Sequence, residues 1–152
     1  MSETQPTTAA QQTFRQLLAQ NTDEVRSYIL ASGHYIGTVK TFEFGVSRTK
    51  QTPQVQFLLS VEEACADVDT SLNEGLNLSE FELRKTFYIT PKALKMLSNA
   101  LDAILGHEQG RSFDVRLPDT RGARVMFAVT QRDDEQGNPA FNDVGTILAA
   151  AA

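Results

Sequence analysis

The chain has no tryptophan, a single cysteine and two histidines in 152 residues. The lone Cys65 excludes an internal disulfide and fits a reducing compartment. His34 and His107 lie far apart, and neither has a Cys or His at ligand spacing, which argues against structural zinc. Gly106, Gly110 and Gly122 do not form a phosphate-cradling loop, and no G-x-S-x-G elbow occurs. Cys65 sits among acids, an environment that raises a thiol pKa and makes a poor nucleophile. Asp133-Asp134-Glu135 reads as a solvated hairpin tip rather than a cation site. The expectation is a protein that is not an enzyme, with no catalytic residue, metal or cofactor. No apolar run reaches the length of a membrane span. Met1 to Gln12 is polar and lacks the apolar core of an export signal, so a cytoplasmic location with no membrane partner is expected.

What is present reads as one soluble domain with a real core: 41% of the residues are apolar. The clearest segment runs from Leu83 to Val129. Thr90-Pro91 follows the β-rich Phe87-Tyr88-Ile89 and suits a helix start. Ala93, Leu94, Leu97, Leu101, Ile104 and Leu105 then recur at helical spacing, and Gly106 can close the helix.

Around this helix, period-two alternation predicts strands. Tyr35, Gly37 and Val39 share one phase; Phe42, Phe44 and Val46 share the other. A one-residue bulge would bring both sets inside; the alternative is that one half exposes its apolar set. Val55, Phe57, Leu59 and Val61 mark a second strand, and Phe81, Leu83, Phe87 and Ile89 a third, with Lys85 breaking the inward apolar pattern. Phe113, Val115 and Leu117 predict a fourth, Ala123 to Val129 a fifth and Pro139 to Leu148 a last. The expected fold class is mainly β, an OB-fold-like β-barrel with one helix between the third and fourth strands and one or two N-terminal helices. Phe14, Leu17 and Leu18 mark the first of those; Val25, Tyr28 and Ile29, after Thr22, mark the second. The expected organisation is a disordered tail over 1–12, one OB-like domain with a helical extension over 13–148, and a tail over 149–152.

Net charge is −5, yet the charges are segregated. Residues 61–83 hold seven acids and no base; residues 84–132 hold nine bases and four acids. A ligand feels the local field more than the sum. Single-stranded nucleic acid asks a surface for cations to meet phosphates and flat side chains to stack on bases. In an OB barrel the second and third strands and the adjoining loops carry both. The candidate residues are Arg48 and Lys50 in the first loop, Arg84, Lys85 and Tyr88 on the third strand, and Arg116, Arg121, Arg124 and Arg132 beyond the helix. Tyr88 is the best stacking candidate, though it equally suits a cover for the helix start at Pro91. The phenylalanines fall mostly on inward phases and read as core.

Three stretches carry a resemblance: Gly33-His34-Tyr35-Ile36-Gly37-Thr38-Val39, Arg84 through Leu94 (RKTFYITPKAL), and Gly137 through Val144 (GNPAFNDV). Together, over residues 33–148, the chain resembles the small OB-fold single-stranded-DNA-binding proteins of bacteriophages and prophages. The resemblance implies a non-catalytic binder of single-stranded DNA in phage-type replication or recombination, in the host-cell cytoplasm. It leaves room for replication or recombination enzymes as partners and for a homo-oligomer. It departs from the family at the C-terminus, where alanines stand in place of an acidic recruiting tail. Two other readings stay open: a protein-interaction or virion-structural module, and an inhibitor that imitates nucleic acid through the acidic loop at 62–82.

Overall fold

The computed structural model describes residues 9–19 and 29–150. Its centre is β1 (Gly33–Val46), a long strand that changes partner midway. The first half pairs antiparallel with β5 (Arg124–Asp133), from Gly33 opposite Val129 to Thr38 opposite Arg124. A two-residue β3 (Glu63–Ala64) lies on its other side. The second half pairs with β2 (Pro53–Ser60), from Val39 opposite Leu59 to Val46 opposite Pro53. β2 then pairs with β4 (Glu82–Tyr88), and β5 with β6 (Pro139–Ala149). The result is a six-stranded antiparallel sheet of order β4-β2-β1-β5-β6, with β3 beside β1. No ladder joins the edge strands β4 and β6 among the described residues, although Lys85 Nζ donates to the Val144 carbonyl across the seam.

Two local devices let β1 serve both halves. Lys40 is an extra residue, because Val39 faces Leu59 while Thr41 faces Leu58. Such a bulge twists the strand and flips its phase. Gly37 lies so close to β2 that a Cβ built there falls inside the Ser60 carbonyl oxygen. Only a residue without a side chain fits that approach. The expected phase change is therefore present. It carries Phe42 to the core edge but leaves Phe44 and Val46 in solvent, because the β1–β2 hairpin extends past the end of the core.

Tyr35, Phe57, Leu59, Val125 and Phe127 fill the sheet's inner side with no exposed area. Tyr35 keeps its hydroxyl satisfied by donating to the Ala31 carbonyl and accepting from Asn73 Nδ2. Helix α2 (Leu94–Leu105) covers this layer with Leu97, Ala100 and Leu101. It starts later than expected: Ala93 is the N-cap without a side-chain bond, and Pro91–Ala93 form a turn before it, in which Thr90 Oγ1 accepts from Ala93 N at 3.2 Å and Leu94 N donates to the Thr90 carbonyl at 2.9 Å. Its end is Gly106, at φ 86°, whose amide closes on the Asp102 carbonyl.

One expected strand is not a strand. Residues Phe113–Arg116 form a helical turn, α3, that runs into a 3-10 turn at Leu117–Thr120. Phe113, Arg116, Leu117 and Thr120 recur at helical spacing and face inward, while Val115 is exposed. The alternation of Phe113, Val115 and Leu117 hid this because the inward position between them is an arginine. The acidic connection is more ordered than a plain loop: it holds β3 and 3-10 turns at Thr70–Asn73 and Leu78–Glu80.

The N-terminal helix α1 spans Ala9–Leu18, so residues 9–12 are helical rather than tail, and Phe14 and Leu18 lie exposed on it. Ala149 closes β6 rather than opening a tail. Of the second expected helix, residues 22–28 lie outside the described residues, as does the remainder of both tails, while its expected end at residues 29–32 is not helical.

Gly37→Ala is expected to lower unfolding stability by about 1–3 kcal/mol or more, as overpacking against a rigid carbonyl does. Chemical denaturation followed by circular dichroism measures it.

Candidate functional site

The structure scatters the nine candidate residues and neutralises several. Arg116 is buried, 5% exposed. Its Nη1 donates to Asp102 Oδ1 at 2.8 Å and its Nη2 to the Gly106 carbonyl. It pins α3 to the end of α2 and is lost to any external ligand. Arg124 lies 3.0 Å from Glu63 Oε2 and 3.8 Å from Glu62 Oε2. Arg132 lies 3.1 Å from Asp143 and caps the Phe141 ring. Arg84 reaches Gln56 Oε1 at 3.2 Å and, more loosely, Glu43 at 3.6 Å. Lys85 points into the seam, 5.4 Å from the centre of the Phe87 ring. These five therefore do not form one positive face.

A smaller group does converge. Arg48 and Lys50 sit on the exposed β1–β2 loop, with no carboxylate partner among the described residues. The same loop faces the end of β4, because Gln54 lies opposite Tyr88 and Ile89 N donates to the Pro53 carbonyl at 2.8 Å. Ser47, Lys50, Thr52, Tyr88, Thr90 and Ala93 line a groove of about 420 Å³ between loop, strand and helix start. No carboxylate lines it. Tyr88 presents its ring there, 48% exposed, so it does more than cover the helix start.

Two further residues escaped the sequence reading. Lys92 lies between the lining residues Thr90 and Ala93 and is exposed, with no ion pair among the described residues. Its signal was its place in Thr90-Pro91-Lys92, just after Tyr88. Phe44, whose phase leaves both an inward and an exposed placement open, is 64% exposed and packs edge-on against Phe42 at 5.5 Å between centroids. Arg121, free of carboxylates among the described residues, lies 4.5 Å over the Phe42 ring and donates to Thr41 Oγ1. The two exposed aromatics lie on opposite faces of the sheet: Phe44 on β1 shares the phase of inward Val55, and Tyr88 on β4 lies opposite outward Gln54.

The acidic connection is occupied structurally. Glu62 accepts from Thr38 Oγ1, Glu63 meets Arg124, Asp67 accepts from the His34 amide, and Asp69 caps the Thr70–Asn73 turn. Cys65 has its thiol pKa raised, first by burial and then by Asp67 and Glu63. Among the described residues no group of His, Cys, Asp or Glu is arranged to hold a metal ion, and no helix is long and apolar enough to cross a membrane. No protein-family model matches the chain, and no curated protein matches it at a significant level.

Three carboxyls are held below their ordinary pKa. The hydrogen bond from Arg116 does this to Asp102, that from Lys40 to Glu82, and that from His34 to Asp67. In the unfolded chain they return to about 4. The unfolded state then takes up protons first, so the stability these pairs supply is complete above that value and is lost as pH falls through the lower folded values. Thermal melts stepped from about pH 7 to about pH 3 are expected to show a falling midpoint. Asp102→Asn is expected to lower the midpoint at neutral pH and to flatten that decline.

Proposed function

We propose that the protein is a non-catalytic, OB-type binder of single-stranded DNA whose contact surface is the β1–β2 hairpin and the groove beside Tyr88. The strand order supports the fold half of this reading. With 113–117 helical, five long strands remain, α2 falls between the third and fourth of them, and a bulged first strand serves two partners. An OB barrel has that plan, with the seam between β4 and β6 as the point of closure.

The observation that carries the functional half is the groove: Lys50 and an exposed Tyr88 share it and no acid enters it. Arg48 and Lys92, each next in sequence to lining residues, add cations that no carboxylate neutralises among the described residues. Phosphates meet the cations and a base stacks on Tyr88. Replication or recombination of phage-type DNA is the setting the resemblance suggests. The runner-up, a protein-interaction or virion-structural module, draws on one observation: Phe14 and Leu18 stand exposed one helical turn apart on α1.

Fluorescence anisotropy with a labelled oligonucleotide tests the reading. Affinity is expected to fall steeply with salt. Tyr88→Ala is expected to cost about 1–3 kcal/mol in binding. Lys50→Ala should weaken binding and reduce the salt slope by about one. Arg124→Ala and Arg132→Ala, whose charges are already paired, should leave it nearly unchanged. Absence of binding even at low salt would remove the proposal.

A further inference from the structure

The seam between β4 and β6 opens, under α2, into a cleft of about 470 Å³. Ala100 and Ala103, with Met96 and Asn99, form its helix wall and Ile147 part of its sheet wall. The small side chains of Ala100 and Ala103 leave it room, and its lining is mostly apolar. Three polar groups converge on it. Lys85 is half-buried at the cleft, and one of its N–H donors goes to the Val144 carbonyl at 3.2 Å. Asn99 and Thr146 contribute an amide and a hydroxyl, and no hydrogen bond among the described residues engages either side chain. Lys85 has no carboxylate partner among the described residues. A main-chain carbonyl is a neutral acceptor, and an ionised acceptor makes the stronger bond to an ammonium.

We infer that this cleft is a binding site for a small amphipathic carboxylate, with its apolar chain against Ala100, Ala103 and Ile147 and its carboxylate on Lys85. The size and lining match those of small-ligand sites, where a few placed polar groups orient an apolar body. Asn99 and Thr146 supply the remaining donors for the second carboxylate oxygen. The site stands apart from the Tyr88 groove, shares no lining residue with it, and does not depend on the nucleic-acid reading.

Octanoate titrated into isotopically labelled full-length protein, followed by amide NMR shifts, tests the inference. Saturable shifts at Ala100, Gly145 and Thr146 are expected. Octan-1-ol, which lacks the charge, should bind more weakly by about tenfold, the value of a charge-assisted bond. Lys85→Met should lose a similar factor, and Lys85→Arg should recover it. Equal binding of acid and alcohol, undiminished binding by Lys85→Met, or the absence of saturable shifts at the cleft would overturn the assignment. Should Lys85→Met fail to fold, Ala103→Phe fills the cleft from the helix side. It is expected to abolish the octanoate shifts, and shifts that persist in it would equally overturn the assignment.

Discussion

The passage of β1 between its two sets of partners is the constraint on which this molecule is built. Within a few residues, Gly37 lies against the Ser60 carbonyl, Thr38 N donates to Ser60 Oγ, and Val39 exchanges backbone bonds with Gly122 and Ala123. A strand can leave one neighbour and meet another here only if the backbones come closer than side chains ordinarily permit. The missing side chain at Gly37 and the extra residue at Lys40 solve that together. The position of the β1–β2 hairpin, and hence of everything on it, follows from this bend.

Much of the fold was legible because it rests on short-range rules. The alternation in Val55-Phe57-Leu59-Val61, the phase change after Val39, the Thr90 turn and the Gly106 helix end all depend on neighbours within a few positions. The exception is instructive. Arg116 occupies an inward position of a helical turn, and a charged residue does not register as core when hydrophobicity is the signal. Its eligibility for burial comes from Asp102, fourteen positions away, and from the Gly106 carbonyl. Phe44 shows the converse: it has the phase of a core residue, but the core ends before the strand does.

The proposed binding surface was less legible than the fold, for an electrostatic reason. Counting charges along the chain located a basic second half, but a charge matters to a ligand only after its neighbours are known. Glu62 and Glu63, brought beside β1 by the short β3, meet Arg124 of β5; Asp143 lies across from Thr130, beside Arg132. Pairing of this kind is set by strand register, which no local pattern encodes. The cations that stayed unpaired lie mostly on the first loop and at the start of α2, where the nearest residues in sequence are threonine, serine, proline and alanine.

The segregation that survives folding also has a directional effect. The molecule is negative as a whole, at −5, while the hairpin end keeps Arg48, Lys50 and Lys92 unopposed among the described residues. Such a body behaves as an electric dipole. On the proposed reading, a polyanion nearing the hairpin would meet these cations first, within the roughly 8–10 Å over which a field reaches in physiological salt.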